Sequence, residues 1–214
     1  MSRQPTLRNC DCLTSQPAIG GTSRTVGWLA QACAGEEHFE VPGDVIVVRR
    51  ATVADAEQIG EAHASAWEVA YVDLFDPEVL RLAAATRRTM WGQMLASSDF
   101  DFAGLLVAEQ SGHVVGFSQF GRAREEPGRG EIFGFYLHPG AWGKGAATEL
   151  MTASLRGLGG LGFDPVVVWT HPGAMRAQAF YVKCGFRATG RSRTETLGSG
   201  IDAPEVEFVR VGSS

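Results

Sequence analysis

The segment His138-Pro-Gly-Ala-Trp-Gly-Lys-Gly-Ala-Ala147 constrains this chain more than any other. Before it, Glu131 to His138 reads as a strand, which Pro139 and Gly140 end. After it a helix starts at once, from about Gly145 to Leu158, with Ala147, Leu150, Met151, Ser154 and Leu155 at a 3.6-residue period. A helix opening directly out of a glycine turn offers its first N–H groups and the positive end of its dipole, and the glycines admit a ligand close to the backbone. That arrangement suits phosphate or pyrophosphate. Two well-known forms of it fail here. A P-loop needs glycine five residues before Gly143 and Ser or Thr after Lys144, where this chain has His138 and Gly145. A dinucleotide fingerprint from Gly143 needs Gly or Ala at Thr148 and a following strand that ends in an acid, but that strand ends Trp169-Thr170. On this segment alone, a plain glycine-rich turn stands open beside an anion cradle.

The rest of the chain divides by texture. Residues 1–43 carry Gly, Ser, Thr, Gln and Pro, with one short apolar patch at Trp28, Leu29 and Ala30. They read as a disordered or loosely docked leader, and a start site placed too far upstream would look the same. From Val45 a strand begins, and Thr52-Val-Ala-Asp55 opens a helix that places Ala56, Ile59, His63, Ala66 and Trp67 on one stripe. A second helix is expected over about Pro77 to Ala96, with Leu80, Ala84, Met94 and Leu95 inward. Strands follow at Leu105–Glu109 and Val114–Phe120, joined at Ser111-Gly112, and then a charged loop from Arg122 to Gly130. Val166–Thr170 reads as a buried strand, Met175–Lys183 as a short helix stopped by Gly185, and strands return from Phe186 and over Glu205–Val211. Helices and strands mixed in one stretch make residues 44–214 a single α/β or α+β domain.

Composition excludes several classes. The net charge is −5, so no clustered Lys/Arg surface is on offer for nucleic acid, while a cationic substrate is compatible. No run of 18 apolar residues exists, and the first ten residues lack an apolar core, which points to a cytoplasmic protein without a membrane span. Cys10, Cys12 and Cys33 with His38 do not have zinc-ligand spacing, and Cys184 stands alone, so no metal is expected.

The second informative segment is Arg176-Ala-Gln-Ala-Phe-Tyr-Val-Lys-Cys-Gly-Phe186, about 30 residues and one strand beyond the glycine turn. Together the two segments resemble the GNAT superfamily of acyl-CoA-dependent N-acetyltransferases, in its bacterial form. That family carries a strand, an R/Q-x-x-G-x-G/A turn, a helix, a strand and then N-x-R-A-x-x-F-Y-x-K-x-G-F. The resemblance runs from Val45 to about Val211 and includes the Thr52–Asp55 helix start and the Trp67/Tyr71 spacing. Two positions depart from it. Trp142 stands where Arg or Gln is usual, so Lys144 is left to supply positive charge, and Ala174 stands where asparagine is usual.

The resemblance implies a mostly antiparallel mixed sheet of six to seven strands flanked by helices, with the fourth strand bulged and splayed from the fifth. It implies acetyl-CoA in that gap, with Phe135, Tyr136 and Leu137 along the pantetheine arm and Trp142, Gly143, Lys144, Gly145, Ala146 and Ala147 around the pyrophosphate. Ala174 would line the same cofactor site. Tyr181 falls at the family's thiolate-protonating tyrosine, although a core aromatic beside Phe180 is the other reading. Glu131 falls where several members carry a general-base glutamate, with a solvated strand-start carboxylate as the alternative. His138 and His171 are candidate water-linked proton relays, and His63 reads as a core or rim residue. Trp67 and Tyr71, with Phe75, read as acceptor-pocket wall or as ordinary core. The implied reaction is direct acetyl transfer to a primary amine of a small molecule, peptide or protein, by a monomer or homodimer. A non-catalytic acyl-CoA-binding module of the same fold is the competing reading.

Overall fold

The computed structural model describes residues 45–97, 104–124, 126–196 and 202–212, so the expectation for residues 1–43 lies outside the described residues. The same is true of Cys10, Cys12, Cys33 and His38.

Seven strands form one sheet: β1 (Ile46–Arg50), β2 (Gly104–Gln110), β3 (His113–Arg122), β4 (Gly130–Leu137), β5 (Val166–Thr170), β6 (Arg187–Thr196) and β7 (Asp202–Arg210). Their order is β1-β2-β3-β4-β5-β7-β6, and every described pair is antiparallel except β4 with β5. A parallel pair needs a crossover, and helix α3 (Ala146–Gly160) provides it. The other helices are α1 (Ala56–Ala70), α2 (Pro77–Ala96) and α4 (Met175–Lys183).

Local chemistry sets these boundaries. Asp55 accepts from the Thr52 backbone N–H at 2.7 Å and pairs with Arg49 at 2.8 Å, which fixes the turn into α1 to the end of β1. Asp76 caps α2 by accepting from Glu78 N–H at 2.9 Å, with Pro77 in the first turn. Gly145, at φ 95°, is the N-cap of α3, a left-handed conformation that a side chain would strain. The central strand β5 (Val-Val-Val-Trp-Thr) is buried on both faces over most of its length, as a strand inside a covered sheet must be.

The helices divide between the faces. Ile59 of α1 and Trp91 of α2 pack with Leu105, Val107, Val114 and Phe117 on one face. Met151 and Leu158 of α3 and Tyr181 of α4 pack with Ile132, Val166, Val168, Phe186 and Phe208 on the other. Two features open the sheet between these layers. The register of β3 with β4 passes from Gln119↔Gly134 to Phe120↔Ile132, so β4 bulges by one residue at Phe133. Past Ile132, β4 and β5 also part: their pairing covers only Gly130–Ile132 against Val166–Val168, although β4 continues to Leu137.

Candidate active site

The parted strands enclose a cavity of about 530 Å³. On the α3/α4 side it is lined by Trp142, Gly143, Ala147, Ala174, Arg176 and Phe180, and on the α1 side by Ala66, Val69, Ala70 and Tyr71. Phe135, Tyr136 and Leu137 of β4 line it along the strand, and Trp169, Tyr181 and Glu205 complete the polar wall.

Of the residues expected to hold a cofactor, Phe135, Tyr136, Leu137, Trp142, Gly143, Ala147 and Ala174 line this cavity. Lys144 is exposed beside it, and Ala146 is buried in the α3 core against Leu150 and Leu137. Gly143 and Gly145 both have positive φ, and a Cβ built on either meets nothing within 4 Å. Backbone and open space therefore face one another at the start of α3, a cradle suited to an oxyanion. The indole of Trp142 does not supply a phosphate donor: its Nε1 donates to the Leu137 carbonyl at 2.9 Å. The guanidinium of Arg176 lies over the same ring and faces the cavity, so a cation from α4 stands near the position where the turn lacks one.

Tyr181 is 5% exposed and packs against Phe180, Phe186 and Phe208 with ring centres 5.9–6.2 Å away. Burial pushes its hydroxyl well above the ordinary range, and the neighbouring Tyr136 adds to the effect. The hydroxyl thus keeps its proton at neutral pH and can donate it. Tyr71 is raised in the same way, with Tyr136, Tyr181 and Glu205 contributing.

Glu131 is not brought into this cavity. It lies in a small adjoining cleft with Trp169, Arg193 and Glu207, accepts from Arg124 N–H at 3.4 Å, and pairs with Arg193 at 3.4 Å. Its neighbour Ile132 packs with Phe135 on the α3 face, so Glu131 points to the opposite face. Burial raises its carboxyl, against the lowering effect of Arg193 and Arg124. The carboxylate that does line the cavity is Glu205, which sequence reading missed. Its one sequence signal is the Glu205-Val-Glu207-Phe alternation, which shows a polar strand face but not what that face meets.

The remaining candidates are second to the wall. Trp67 is 3% exposed and stands behind Tyr71, with Phe75 stacked at 5.8 Å and the Arg87 guanidinium 3.3 Å from its ring centre. His138 and His171 are not among the lining residues. Each accepts a backbone N–H two residues on through Nδ1, from Gly140 at 3.1 Å and from Gly173 at 3.0 Å. His63 is buried between Trp91 and Tyr136, with Nδ1 accepting from Trp91 Nε1 at 3.2 Å. Cys184 ends α4 half-buried against the core and away from the cavity. Among the described residues no group of three or more metal-ligating side chains occurs, and no helix is long and apolar enough to cross a membrane.

A mixed seven-stranded sheet, splayed at its parallel pair and opening beside a glycine-capped helix, is the scaffold of an acyl-CoA-dependent N-acetyltransferase. The profile of the Acetyltransferase (GNAT) family matches residues 61–186, and the chain belongs to that family. A probable N-acetyltransferase of Mycobacterium tuberculosis is 22% identical over 165 residues, which cover 76% of this chain and 92% of that protein. Mycothiol acetyltransferase of Streptomyces avermitilis is 31% identical over 87 residues, 41% of this chain but only 28% of that enzyme. Among solved structures, PaiA N-acetyltransferase of Thermoplasma acidophilum, in complex with coenzyme A, has a TM-score of 0.62 at 16% identity. The match covers 78% of this chain and 99% of that one. YncA of Salmonella typhimurium, solved with acetyl-CoA, has a TM-score of 0.55 at 18% identity over 79% and 95% of the two chains.

Proposed function

We propose that this chain transfers the acetyl group of acetyl-CoA to a primary amine by direct attack, with Tyr181 as the acid. The observation that carries this reading is one continuous cavity lined by both Gly143, beside the start of α3, and the buried Tyr181. The residues fit the co-substrate: open backbone at Gly143 and Gly145, the α3 N-terminus, and the Arg176 cation suit a pyrophosphate, and the β4 segment Phe135–Leu137 suits a pantetheine arm. When bound, acetyl-CoA supplies an activated acetyl thioester with a thiol leaving group.

The protein's own part is proton control and positioning. Tyr181 holds a proton on its hydroxyl for the departing sulfur, and its apolar packing keeps that proton in place. An amine of pKa about 10.4 is neutral roughly once in 2,500 at pH 7, so the acceptor must also lose a proton. Glu131, the base expected from the sequence, lies outside the cavity and pairs with Arg193, which also holds Glu205. The bulge at Phe133 changes which backbone groups of β4 face the gap, and an oxyanion site there belongs to this reading. No cysteine lines the cavity among the described residues, in keeping with direct attack rather than an acyl-enzyme.

We further take residues 44–214 as the catalytic domain, with residues 1–43 as a separate leader. We take it as a cytoplasmic enzyme acting as a monomer or homodimer. Its acceptor is a small-molecule or peptide amine rather than nucleic acid. Thiol release measured with a panel of primary amines tests the activity. Release that depends on both acetyl-CoA and an amine supports it. A second reading, an acyl-CoA-binding module without turnover, draws on Trp142, whose Nε1 is committed to Leu137, and on the missing asparagine at Ala174. Tight acetyl-CoA binding with no release under any amine would favour that module.

A further inference from the structure

The cavity is electrically divided. Among its described lining residues the basic side chain is Arg176, at the start of α4, and the acidic one is Glu205, on β7. The two belong to opposite faces of the sheet. Arg176 lies over Trp142 on the α3/α4 side, whereas Glu205 shares its strand face with Glu207, opposite Val206 and Phe208 of the α4-side core. The end near Arg176 and the α3 N-terminus suits anionic phosphates. The end near Glu205 suits a cation.

We propose that Glu205, with the rings of Tyr71 and Trp169, forms a subsite for the ammonium group of a cationic primary-amine acceptor, and that Arg193 is its positioning residue. The proposal rests on reading the cavity as an acetyl-transfer site and names the acceptor class for it. The Glu205 side chain is 19% exposed, reachable from the cavity yet largely out of water, where a charged contact counts for more than at the surface. Register pairs Arg193 of β6 directly with Glu205, and Arg193 Nε donates to Glu205 Oε2 at 2.9 Å. The same guanidinium reaches Glu131 at 3.4 Å and lies 4.3 Å from the Trp169 ring centre. Held from three sides, it fixes where the Glu205 carboxylate stands. Tyr71, Tyr136 and Trp169 line the same cavity, and aromatic rings attract ammonium while leaving a neutral alcohol without equivalent gain.

The groups around Glu205 act on its carboxyl in opposite senses, and a bound ammonium would favour its charged form. Burial raises its carboxyl, Glu195 of β6 and Glu131 of β4 add to that, and Arg193 opposes it. Its charge in turn raises the hydroxyls of Tyr181 on α4 and Tyr71 at the end of α1, which places Glu205 electrically beside the proposed acid. An ammonium held there would stand between Glu205 and the reacting end of the cavity.

The test is calorimetry on the full-length protein saturated with coenzyme A, using matched probes: phenethylamine against 2-phenylethanol, and butylamine against butanol. Wild-type protein should prefer each amine to its alcohol by at least roughly 10-fold. Glu205→Gln should weaken amine binding by roughly 10- to 100-fold, the range for a lost charge-assisted contact, with coenzyme A and alcohol binding unchanged. Glu205→Asp, which keeps the charge, should retain part of the preference. Wild-type protein with no amine preference, or with no binding of either amine, overturns the proposal without any variant. So does a Glu205→Gln protein that keeps the preference. Failure of the acetyl-transfer reading looks different: the amine preference persists while no amine provokes thiol release. Thiol release with an unchanged amine KM in Glu205→Gln would sink the subsite and leave the transfer reading intact.

Discussion

The guanidinium carbon of Arg176 lies 4.5 Å from the centre of the Trp142 ring. This contact joins the first residue of the glycine turn, where the family usually has Arg or Gln, to a cation delivered by a different helix. Positive charge at the turn thus has a source besides Lys144, whose side chain is exposed. Arg176→Ala is expected to weaken acetyl-CoA binding roughly 5- to 30-fold, as for the loss of one exposed charge-assisted phosphate contact. Because Arg176 is exposed, the melting temperature should hardly change. Lys144→Ala should cost less affinity than Arg176→Ala. A calorimetric titration of both variants checks the order, and the reverse order would return the role to Lys144.

Gly145 gives a separate test of the helix N-terminus. At φ 95° any side chain strains the backbone, so a single substitution would confuse strain with charge. Gly145→Ala and Gly145→Glu share the strain, by roughly 1 kcal/mol, and only the second adds a carboxylate beside the helix N-terminus. Gly145→Ala should lose stability and some affinity. Gly145→Glu should show no measurable acetyl-CoA binding at comparable stability. Equal affinities for the two variants would take the turn out of the cofactor site.

Much of this was legible in the sequence, and the failures have physical causes. Helix α4 occupies Met175–Lys183 and β5 occupies Val166–Thr170, as read, because each is bounded by strong local signals such as Gly185 and the β-branched run. Tyr136, Trp142 and Tyr181, named from the family resemblance, line one cavity. Glu131, named from the same resemblance, lies outside that cavity: the bulge at Phe133 breaks the alternation along β4, and Glu131 faces Arg193. The resemblance implied a bulge in β4, but not that it falls at Phe133. Glu205 was missed for a related reason: the resemblance implied the parted strands, but not that a side chain of β7 meets the gap between them. Trp91 was missed in α2 because the reading followed the aliphatic residues, yet at 1% exposure it is a core residue of that helix.

His63 supplies a prediction about stability. Burial and the nearby Arg87 charge hold its imidazole well below the usual histidine range, and Trp91 donates to its Nδ1, so the folded protein keeps it neutral. The unfolded chain takes up that proton near pH 6.5 while the folded protein resists it. Stability is therefore full above about pH 6.5 and falls as pH drops below it, by at most about 1.4 kcal/mol per pH unit from this group. His63→Gln keeps an acceptor for Trp91 but cannot titrate. Urea unfolding from pH 5 to 8 should show a shallower acid slope for this variant than for wild type. Parallel slopes would exclude His63 as the source.

The proton roles yield the most discriminating pair of variants. Tyr181→Phe removes only a hydroxyl, so the packing against Phe180, Phe186 and Phe208 should survive and acetyl-CoA should still bind. If that hydroxyl protonates the leaving sulfur, kcat should fall by roughly 10²- to 10⁴-fold. The raised Tyr181 hydroxyl also predicts a wild-type rate with no alkaline loss from this group up to pH 10. Glu131→Gln should behave differently. Its carboxylate faces Arg193 and not the cavity, so its loss should reach the acceptor only by loosening the Arg193–Glu205 pair. The expected effect is a rise in amine KM of roughly 2- to 5-fold with little change in kcat, as for loss of a binding rather than a transition-state contact. A base at Glu131 would instead lower kcat most at low pH, where neutral amine is scarce, with the deficit shrinking toward the amine's own pKa. Steady-state kinetics of both variants from pH 6 to 10 separates these outcomes. Wild-type kcat in Tyr181→Phe would remove the acid assignment, and a pH-dependent kcat deficit in Glu131→Gln would restore the base role to Glu131 on β4.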